Sequence, residues 1–183
     1  MKRSVIVFVA IFALSFFYFF TKEALDTSRV QERYSGNNFT MVVPVGSTPV
    51  KLKNSTQPVG EQQMVQNAYS FRNGSVSYSL FTYEYSQHAE RTPEETSKAM
   101  ASLAFNAGYS ATFSTSHLGA LSAVASEVEG TTIKGKVAFM RTRLAISDDR
   151  KHGWMAIVVA ADRRSFPTAQ AEEFMDSIQI NSR

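Results

Sequence analysis

Residues 63–85, QMVQNAYSFRNGSVSYSLFTYEY, contain the pattern that decides the fold of this chain. Asn73-Gly74 separates two runs that are rich in aromatic and small residues, and this dipeptide is the strongest short-range signal for a β-hairpin. The pattern predicts two antiparallel strands, from Gln63 to Arg72 and from Ser75 to Tyr85.

The second predicted strand carries hydrophobic side chains on both faces, because side chains alternate in direction along a strand. One face receives Val76, Tyr78 and Leu80. The other face receives Ser77, Ser79, Phe81, Tyr83 and Tyr85. A sheet with one face in water does not explain this distribution, so the pattern favours a sheet sandwiched between helices.

A helix is predicted after the hairpin. Thr92 is the expected N-cap, Pro93 suits the first turn, and Glu94-Glu95 place carboxylates at the positive end of the helix dipole. Gly108 is expected to end this helix at about Ala107. The predicted inward stripe consists of Met100, Leu103, Ala104 and Ala107.

The remaining elements are read from the same signals. Upstream of the hairpin, strands are predicted at residues 39–44 and around residues 50–52. Downstream, four β-like segments are expected: Tyr109 to Leu118, Leu121 to Thr131, Thr132 to Ile146 and Trp154 to Ala161. A terminal helix opens at residues 165–168 and turns Ala171, Phe174, Met175 and Ile178 inward. This order, with tight turns between successive strands, predicts an α+β fold with a mainly antiparallel β-sheet.

The first 22 residues predict one N-terminal transmembrane or signal helix. Residues 5–20 contain no charged side chain and reach about 24 Å as a helix, near the lower limit for crossing a bilayer. Lys2, Arg3 and Lys22 flank the run and are expected to reach lipid headgroups. The small-x-small pattern Ala13-Leu14-Ser15 lies inside the apolar run, so an uncleaved signal-anchor is favoured over a removed signal peptide.

The domain plan and the location follow from this segment. Residues 1–22 are the expected anchor, 23–36 a polar stalk and 37–183 one globular domain. Because Lys2 and Arg3 favour the cytoplasmic side, the chain is expected to be a single-pass protein of the inner membrane. Its globular domain would face the periplasm or another extracytoplasmic space.

The composition argues against several classes of function. The chain has no cysteine, so it has no disulfide, thiolate metal site or lipid-modified cysteine. The formal net charge is only +3. The densest basic group, Arg141, Arg143, Arg150 and Lys151, is interrupted by Asp148-Asp149. A nucleic-acid partner is therefore not expected.

Candidate catalytic and metal-binding residues are few. His88, His117 and His152 do not share a zinc-type spacing, so no metal or other cofactor is predicted. Asp148-Asp149 lacks the spacing of a calcium loop, and no nucleophile elbow or phosphate-binding loop occurs. An enzyme remains possible only if at least two of His88, His117, His152 and Glu84 converge in one pocket.

Aromatic side chains are the stronger candidates for binding. The paired strands carry Phe81, Tyr83 and Tyr85 on one face. If the cover over this face is incomplete, these side chains would line a groove for a ligand or a partner.

Residues 34–180 resemble the PsbP-like fold family. The likeness rests on residues 39–44, on the helix from Glu94 to Gly108, and on the closing segment that contains Phe166-Pro167-Thr168 and Phe174-Met175-Asp176-Ser177-Ile178. The resemblance implies an α+β domain that serves as a binding or assembly module, and it transfers no catalytic residue. The chain departs from many bacterial relatives in lacking a lipid-attachment cysteine.

These observations predict a non-enzymatic binding or assembly module, anchored in the lipid bilayer through residues 5–20 and directed at a protein or another envelope component. Two alternatives remain open: a secreted soluble binding protein released by signal cleavage, and an envelope enzyme whose site leaves no sequence motif.

Overall fold

The computed structural model describes residues 33–36, 38–50, 55–59 and 62–181. The strands are β1 (Arg33–Gly36), β2 (Phe39–Val42), β3 (Thr48–Val50), β4 (Ser55–Val59), β5 (Gln62–Asn73), β6 (Val76–Tyr85), β7 (Ser110–Leu118), β8 (Leu121–Thr131), β9 (Val137–Ile146), β10 (His152–Ala160) and β11 (Gln179–Ile180). The helices are α1 (Pro93–Ala104) and α2 (Thr168–Asp176).

The predicted anchor lies outside the described residues, as do its flanks Lys2, Arg3 and Lys22. In the part of the chain that the structure describes, neither helix is long and apolar enough to cross a bilayer. Residues 33–36, at the end of the segment predicted as a stalk, form β1 and pair with β2.

Two antiparallel sheets make up the fold. The larger has eight strands in the order β3-β5-β6-β10-β9-β8-β7, with β4 also paired to β5. The smaller has the order β1-β2-β11. The predicted α+β class with a mainly antiparallel sheet is therefore confirmed.

Strand β10 shows that both faces of the large sheet are buried. Its residues Trp154, Ala156 and Val158 join a core cluster with Phe174 of α2 and with the small sheet. The alternate residues of β10 join a second cluster with Met100 of α1. Helices thus cover the sheet on both sides, as the two hydrophobic faces of the hairpin strand predicted.

The central hairpin is confirmed, with a turn one residue later than the dipeptide suggests. Met64 pairs with Tyr85 at one end of the hairpin, and Asn73 pairs with Val76 at the other. The turn is therefore Gly74-Ser75. Gly74 has a φ of 57°, a left-handed conformation that glycine adopts without steric cost.

Helix α1 begins where the sequence predicted. Thr92 and Glu95 form a capping box: the Thr92 Oγ1 accepts from the Glu95 N–H at 3.2 Å, and the Glu95 carboxylate accepts from the Thr92 N–H at 2.9 Å. These hydrogen bonds to Thr92 lower the pKa of the Glu95 carboxyl.

The predicted end of this helix at Ala107 is wrong. The helix stops at Ala104, because Phe105 forms a β-bridge with Thr132 and the Asn106 N–H donates to the Thr131 carbonyl at 2.8 Å. The chain thus leaves the helix to join the end of β8. The buried stripe is Ser97, Met100, Ala101 and Ala104, whereas Leu103 is only partly buried and Ala107 is exposed.

Two other boundaries differ from expectation. The third downstream strand starts at Val137 rather than Thr132, because residues 132–136 form a turn closed by a hydrogen bond from the Thr132 N–H to the Lys136 carbonyl. Helix α2 begins at Thr168 and ends at Asp176, and Ile178 follows it in the core. Strands β1, β4 and β11 were not predicted.

Gly130 in β8 gives a test of this packing. An added Cβ would lie 2.8 Å from the Cβ of Tyr109, so Gly130→Ala should reduce the free energy of unfolding by about 1–3 kcal/mol through overpacking. Gly153→Ala in β10 is the matched control, since its Cβ would meet no atom closer than 3.4 Å. Urea denaturation compares the two variants; equal stabilities would contradict the close approach of Tyr109.

Candidate functional site

A polar groove lies on the α2 side of the large sheet, where β7 and β8 extend beyond the helix. We call it the arginine groove. Its cavity measures about 430 Å³. It is lined by Thr112, Ser114, Thr115, Ser116, Ala125, Ser126, Glu127, Arg141, Thr142, Arg143 and Glu172. A second cavity of about 300 Å³ shares Ser116 and Arg143 and extends to Gly119 and Gln179.

Strand register places the groove residues side by side. Thr112 pairs with Glu127, and Glu127 pairs with Arg141, so the three form one row across β7, β8 and β9. Ser114 and Arg143 belong to the next row on the same face, with Ala125 between them. The groove floor therefore follows from the two-residue alternation of each strand.

Three ion pairs connect the sheet to α2, and two more extend the network to Glu127 and Arg163. Arg141 pairs with Glu127 on β8 and, at 2.5 Å, with Glu172 on α2. Arg143 pairs with the other oxygen of Glu172 and, at 2.5 Å, with Asp176. The network ends with Arg163, whose guanidinium lies 3.0 Å from Glu127. Three arginines thus alternate with three carboxylates, and their charges balance.

The helix and the strand have matching spacings along this network. Glu172 and Asp176 lie one helical turn apart, about 6 Å along the axis, and Arg141 and Arg143 lie about 7 Å apart on β9. Because each carboxylate meets an arginine, α2 runs along β9 at this point. The helix therefore covers the strands beneath it and leaves Thr112 and Ser114 of β7 exposed, whereas Leu118 of β7 and Ala123 of β8 belong to the buried core cluster.

Aromatic rings hold two of the guanidinium groups. The Arg141 guanidinium lies over the Phe166 ring at 5.1 Å, and that of Arg163 lies over the Phe139 ring at 5.2 Å. The two rings meet edge to face with centroids 4.8 Å apart. The side chains of Arg141 and Arg143 are only 16% and 14% exposed. Burial and ion pairs therefore fix Arg141 and Arg143 in place, and the Phe166 ring adds a further contact to Arg141.

The histidines and Glu84 lie at one end of the sheet. His152 on β10 pairs in register with Glu84 on β6, and the Nδ1 of His88 lies 3.1 Å from the carbonyl oxygen of Asp149. His117 lies on β7, three strands from β10, or roughly 14 Å. The arginine groove contains none of these residues, and His117 lines only the second cavity. Over the described ranges, no three such side chains could together hold a metal ion.

Asp149 has a structural role in the turn between β9 and β10. Its carboxylate accepts hydrogen bonds from the Ser147 hydroxyl at 2.6 Å and from the Lys151 N–H at 3.0 Å. The bond from Ser147 is the largest cause of the lowered pKa of the Asp149 carboxyl. The turn also contains Arg150, which has a φ of 57°.

The predicted aromatic groove residues lie on the α1 side. Phe81 and Tyr83 are 1% and 5% exposed and belong to the core cluster there, and Tyr85 packs against that cluster while partly exposed. The rings of Tyr83 and Tyr85 stack with centroids 6.5 Å apart. Burial raises the pKa of Tyr85 to about 12, and it also raises the pKa of Tyr83 well above its usual range. Ligand binding at these three residues stays a prediction.

Sequence reasoning missed the arginine groove. In the sequence, Arg141 and Arg143 form one basic group with Arg150 and Lys151, whereas in the structure the first pair lies on a sheet face and the second in a turn. The usable signal was the spacing of Arg141 and Arg143 in an otherwise apolar strand.

Comparisons with known proteins give a distant likeness of fold. No family model matches the chain, and no curated protein matches it. Among solved structures that match is LpqN, involved in cell envelope biogenesis of Mycobacterium tuberculosis, with 11% sequence identity and a TM-score of 0.49. The match covers 85% of this chain and 91% of that chain. A likeness at this level carries no argument about function, and the PsbP-like resemblance stays a prediction.

Replacing Arg141 tests whether its buried ion pairs contribute to the stability of the fold. Arg141→Met should reduce the free energy of unfolding by about 2–3 kcal/mol, because a largely buried charge pair loses one partner. Arg163→Met is the control: the Arg163 side chain is 64% exposed, so its loss should cost less than about 1 kcal/mol. Urea denaturation measures both, and equal losses would contradict the different burial of the two arginines.

Alkaline pH tests the burial of the tyrosines. The pKa is raised from 10.0 to about 12 for Tyr78 and for Tyr85, so between these values the unfolded chain releases protons that the folded chain retains. Stability is therefore complete below about pH 10 and declines as the pH rises toward 12, by about 1.4 kcal/mol per pH unit for each tyrosine. The decline should be shallower in Tyr85→Phe; identical profiles would contradict the prediction.

Proposed function

We propose that this protein is a non-enzymatic binding or assembly module, held at the extracytoplasmic face of the inner membrane by its N-terminal segment, and that the arginine groove receives its partner. The observation that carries the proposal is the ion-paired groove itself. It places fixed arginines and carboxylates at the border of α2, beside exposed hydroxyl residues of β7.

The energetics of the network support a binding role. Partly buried ion pairs gain little over well-packed hydrophobic residues, because desolvation offsets the attraction between the charges. Hydrophobic residues that replaced Arg141 together with its partners Glu127 and Glu172 would pack beside Phe166 without this desolvation cost. The retained charges are explained if they serve recognition, since arginine is enriched in protein interfaces.

The charge balance indicates the chemistry of the partner. Each of Arg141 and Arg143 already bonds two carboxylates, so a purely anionic ligand would have to displace Glu172 or its neighbours. The hydroxyl groups of Thr112, Ser114 and Ser116 along β7 offer both donors and acceptors. We therefore propose a protein segment with neutral or mixed polar side chains as the partner.

The location rests on the N-terminal sequence. Residues 5–20 are uncharged and are preceded by Lys2 and Arg3, which favours an anchor with its globular domain outside the cytoplasm. Determining the N-terminal residue of the membrane fraction distinguishes this anchor from the secreted alternative, in which the chain would begin near Ser15.

Site-specific photocrosslinking in cells tests the groove. A photoreactive residue at Thr112 or Ser116, both in the groove, should give an adduct of one common mass with a protein other than this chain, distinct from any adduct between two copies of this chain. Ser102 is the control position, since it is exposed on α1 at the opposite face of the sheet. The adduct should weaken in Arg143→Ala and persist in Arg163→Met.

Two results would contradict the proposal. One is an adduct that forms equally from Ser102, which would show contact unrelated to the groove. The other is the absence of any heterologous adduct at Thr112 and Ser116 while the chain is folded and in the membrane fraction.

A further inference from the structure

Strand β7 is an outer edge of the large sheet, and its sequence does nothing to protect that edge. It is nine residues long, SATFSTSHL, and contains no proline, glycine, lysine, arginine, aspartate or glutamate. Among the described residues, its only strand partner is β8. Proteins normally blunt such edges with charges, prolines, bulges or very short strands, because free N–H and C=O groups attract another strand.

The opposite edge of the same sheet shows that protection. It consists of two short strands, β3 with three residues and β4 with five. Pro49 lies in β3 and Pro58 lies in β4, and a proline cannot donate a ladder hydrogen bond. The two edges of one sheet are thus built differently. The contrast indicates that the β7 edge is kept open for pairing.

We propose that a second copy of this chain adds its own β7 to this edge in antiparallel orientation, with the two-fold axis at Ser114. Ser114 is the midpoint of the strand, so this register overlaps all nine residues of Ser110–Leu118. The inference does not rest on the groove's having another partner.

The strand is self-complementary in this register on the α2 side. Ser114 faces Ser114 of the second copy, and Thr112 faces Ser116 of the second copy. The protein already pairs hydroxyl groups in this way across its own neighbouring strands. Ser70 and Ser79 hydroxyl oxygens lie 2.5 Å apart between β5 and β6, and those of Ser126 and Thr142 lie 2.7 Å apart between β8 and β9.

The α1 side is also self-complementary. Phe113 would face Thr115 of the second copy, an aromatic and β-branched pair of the kind that stabilises neighbouring strands. Phe113 is only partly buried in the single chain, so pairing would cover it further. The Lys98 ammonium, 5.7 Å from the Phe113 ring, is neutralised by Glu94 at 2.6 Å. No like charges therefore oppose each other in this register.

The two-fold symmetry is compatible with two chains whose N-terminal segments lie in the same membrane. A two-fold axis between antiparallel edge strands stands perpendicular to the sheet, so it keeps each face of the sheet on its own side. Phe39 and Met41 of the small sheet belong to the core cluster on the α2 side. Both copies of β1, which pairs with β2, would thus lie on the same side of the joined sheet.

The absence of cysteine makes a direct test possible, because one introduced thiol has no competitor in the chain. In Ser114→Cys the two facing Cα atoms would lie about 4.5–5.5 Å apart, within the range that a disulfide bridges. In Thr112→Cys the two equivalent positions are four residues out of register, about 13 Å apart. Mild oxidation of the full-length protein in membranes should therefore yield about tenfold more disulfide dimer from Ser114→Cys.

Two further samples protect this test against a variant that fails to fold. When a chain with Thr112→Cys is mixed with a chain with Ser116→Cys, the two variants should form a disulfide with each other, since these two positions face one another in the proposed dimer. Thr56→Cys is the matched control, as Thr56 is an exposed hydroxyl residue on the opposite edge strand β4. It should give no more dimer than Thr112→Cys alone.

The mass of the detergent-solubilised full chain gives an independent measurement. Analytical ultracentrifugation should find a dimer for the natural sequence and for Thr56→Lys, and a monomer for Ser114→Lys, which places two ammonium groups face to face. The proposal is overturned if the natural chain is monomeric, if Ser114→Cys links no faster than Thr56→Cys, or if Ser114→Cys links only to a different polypeptide.

Discussion

Burial of both faces of β10 is the constraint on which the rest of the structure depends. Trp154 and Met155 are neighbours in sequence, yet they belong to two different cores on opposite sides of the sheet. Burying each large hydrophobic side chain contributes about 1.5–3 kcal/mol, so both faces must be covered. Helix α1 covers one face; helix α2 and the small sheet cover the other. The order of strands and helices along the chain places one helix on each face of the sheet and so buries both sides of β10.

The position of α2 also decides which part of the sheet stays open. A helix about 10 Å across, running along the strands, covers about two strand spacings of 4.8 Å. Phe174 of α2 packs edge to face on Tyr78 of β6, and Glu172 bonds the arginines of β9, so the helix is centred near β10. Strands β8 and β7 lie beyond its reach. Polar side chains such as Thr112, Ser114 and Glu127 therefore lie on the α2 side of these strands, whereas Leu118 and Ala123 at the other end belong to the core cluster.

Local signals in the sequence predicted the elements whose ends are set by nearby residues. The Asn73-Gly74 hairpin, the capping box of Thr92 and Glu95 and the two-faced strand β6 all belong to this group. The end of α1 could not be predicted, because it depends on a bridge between Phe105 and Thr132. The arginine groove was missed for the same reason. Its ion pairs join residues 29 to 33 positions apart between β9 and α2, and no local pattern specifies which carboxylate meets which arginine.

On the α2 side of the sheet, contact with water accounts for some of the polar residues but not for all of them. Thr112 and Ser114 are exposed, and any residue there must be compatible with water. The side chains of Arg141 and Arg143 are instead 16% and 14% exposed beneath α2, and the Arg141 guanidinium also lies over the Phe166 ring. Hydrophobic residues in place of both the arginines and their carboxylates would pack there without desolvating charges. Four bonds to carboxylates are needed to hold these two groups there. Because the hydroxyl residues alone would suffice to keep the open face soluble, the arginine network is the feature of this face that requires a functional explanation.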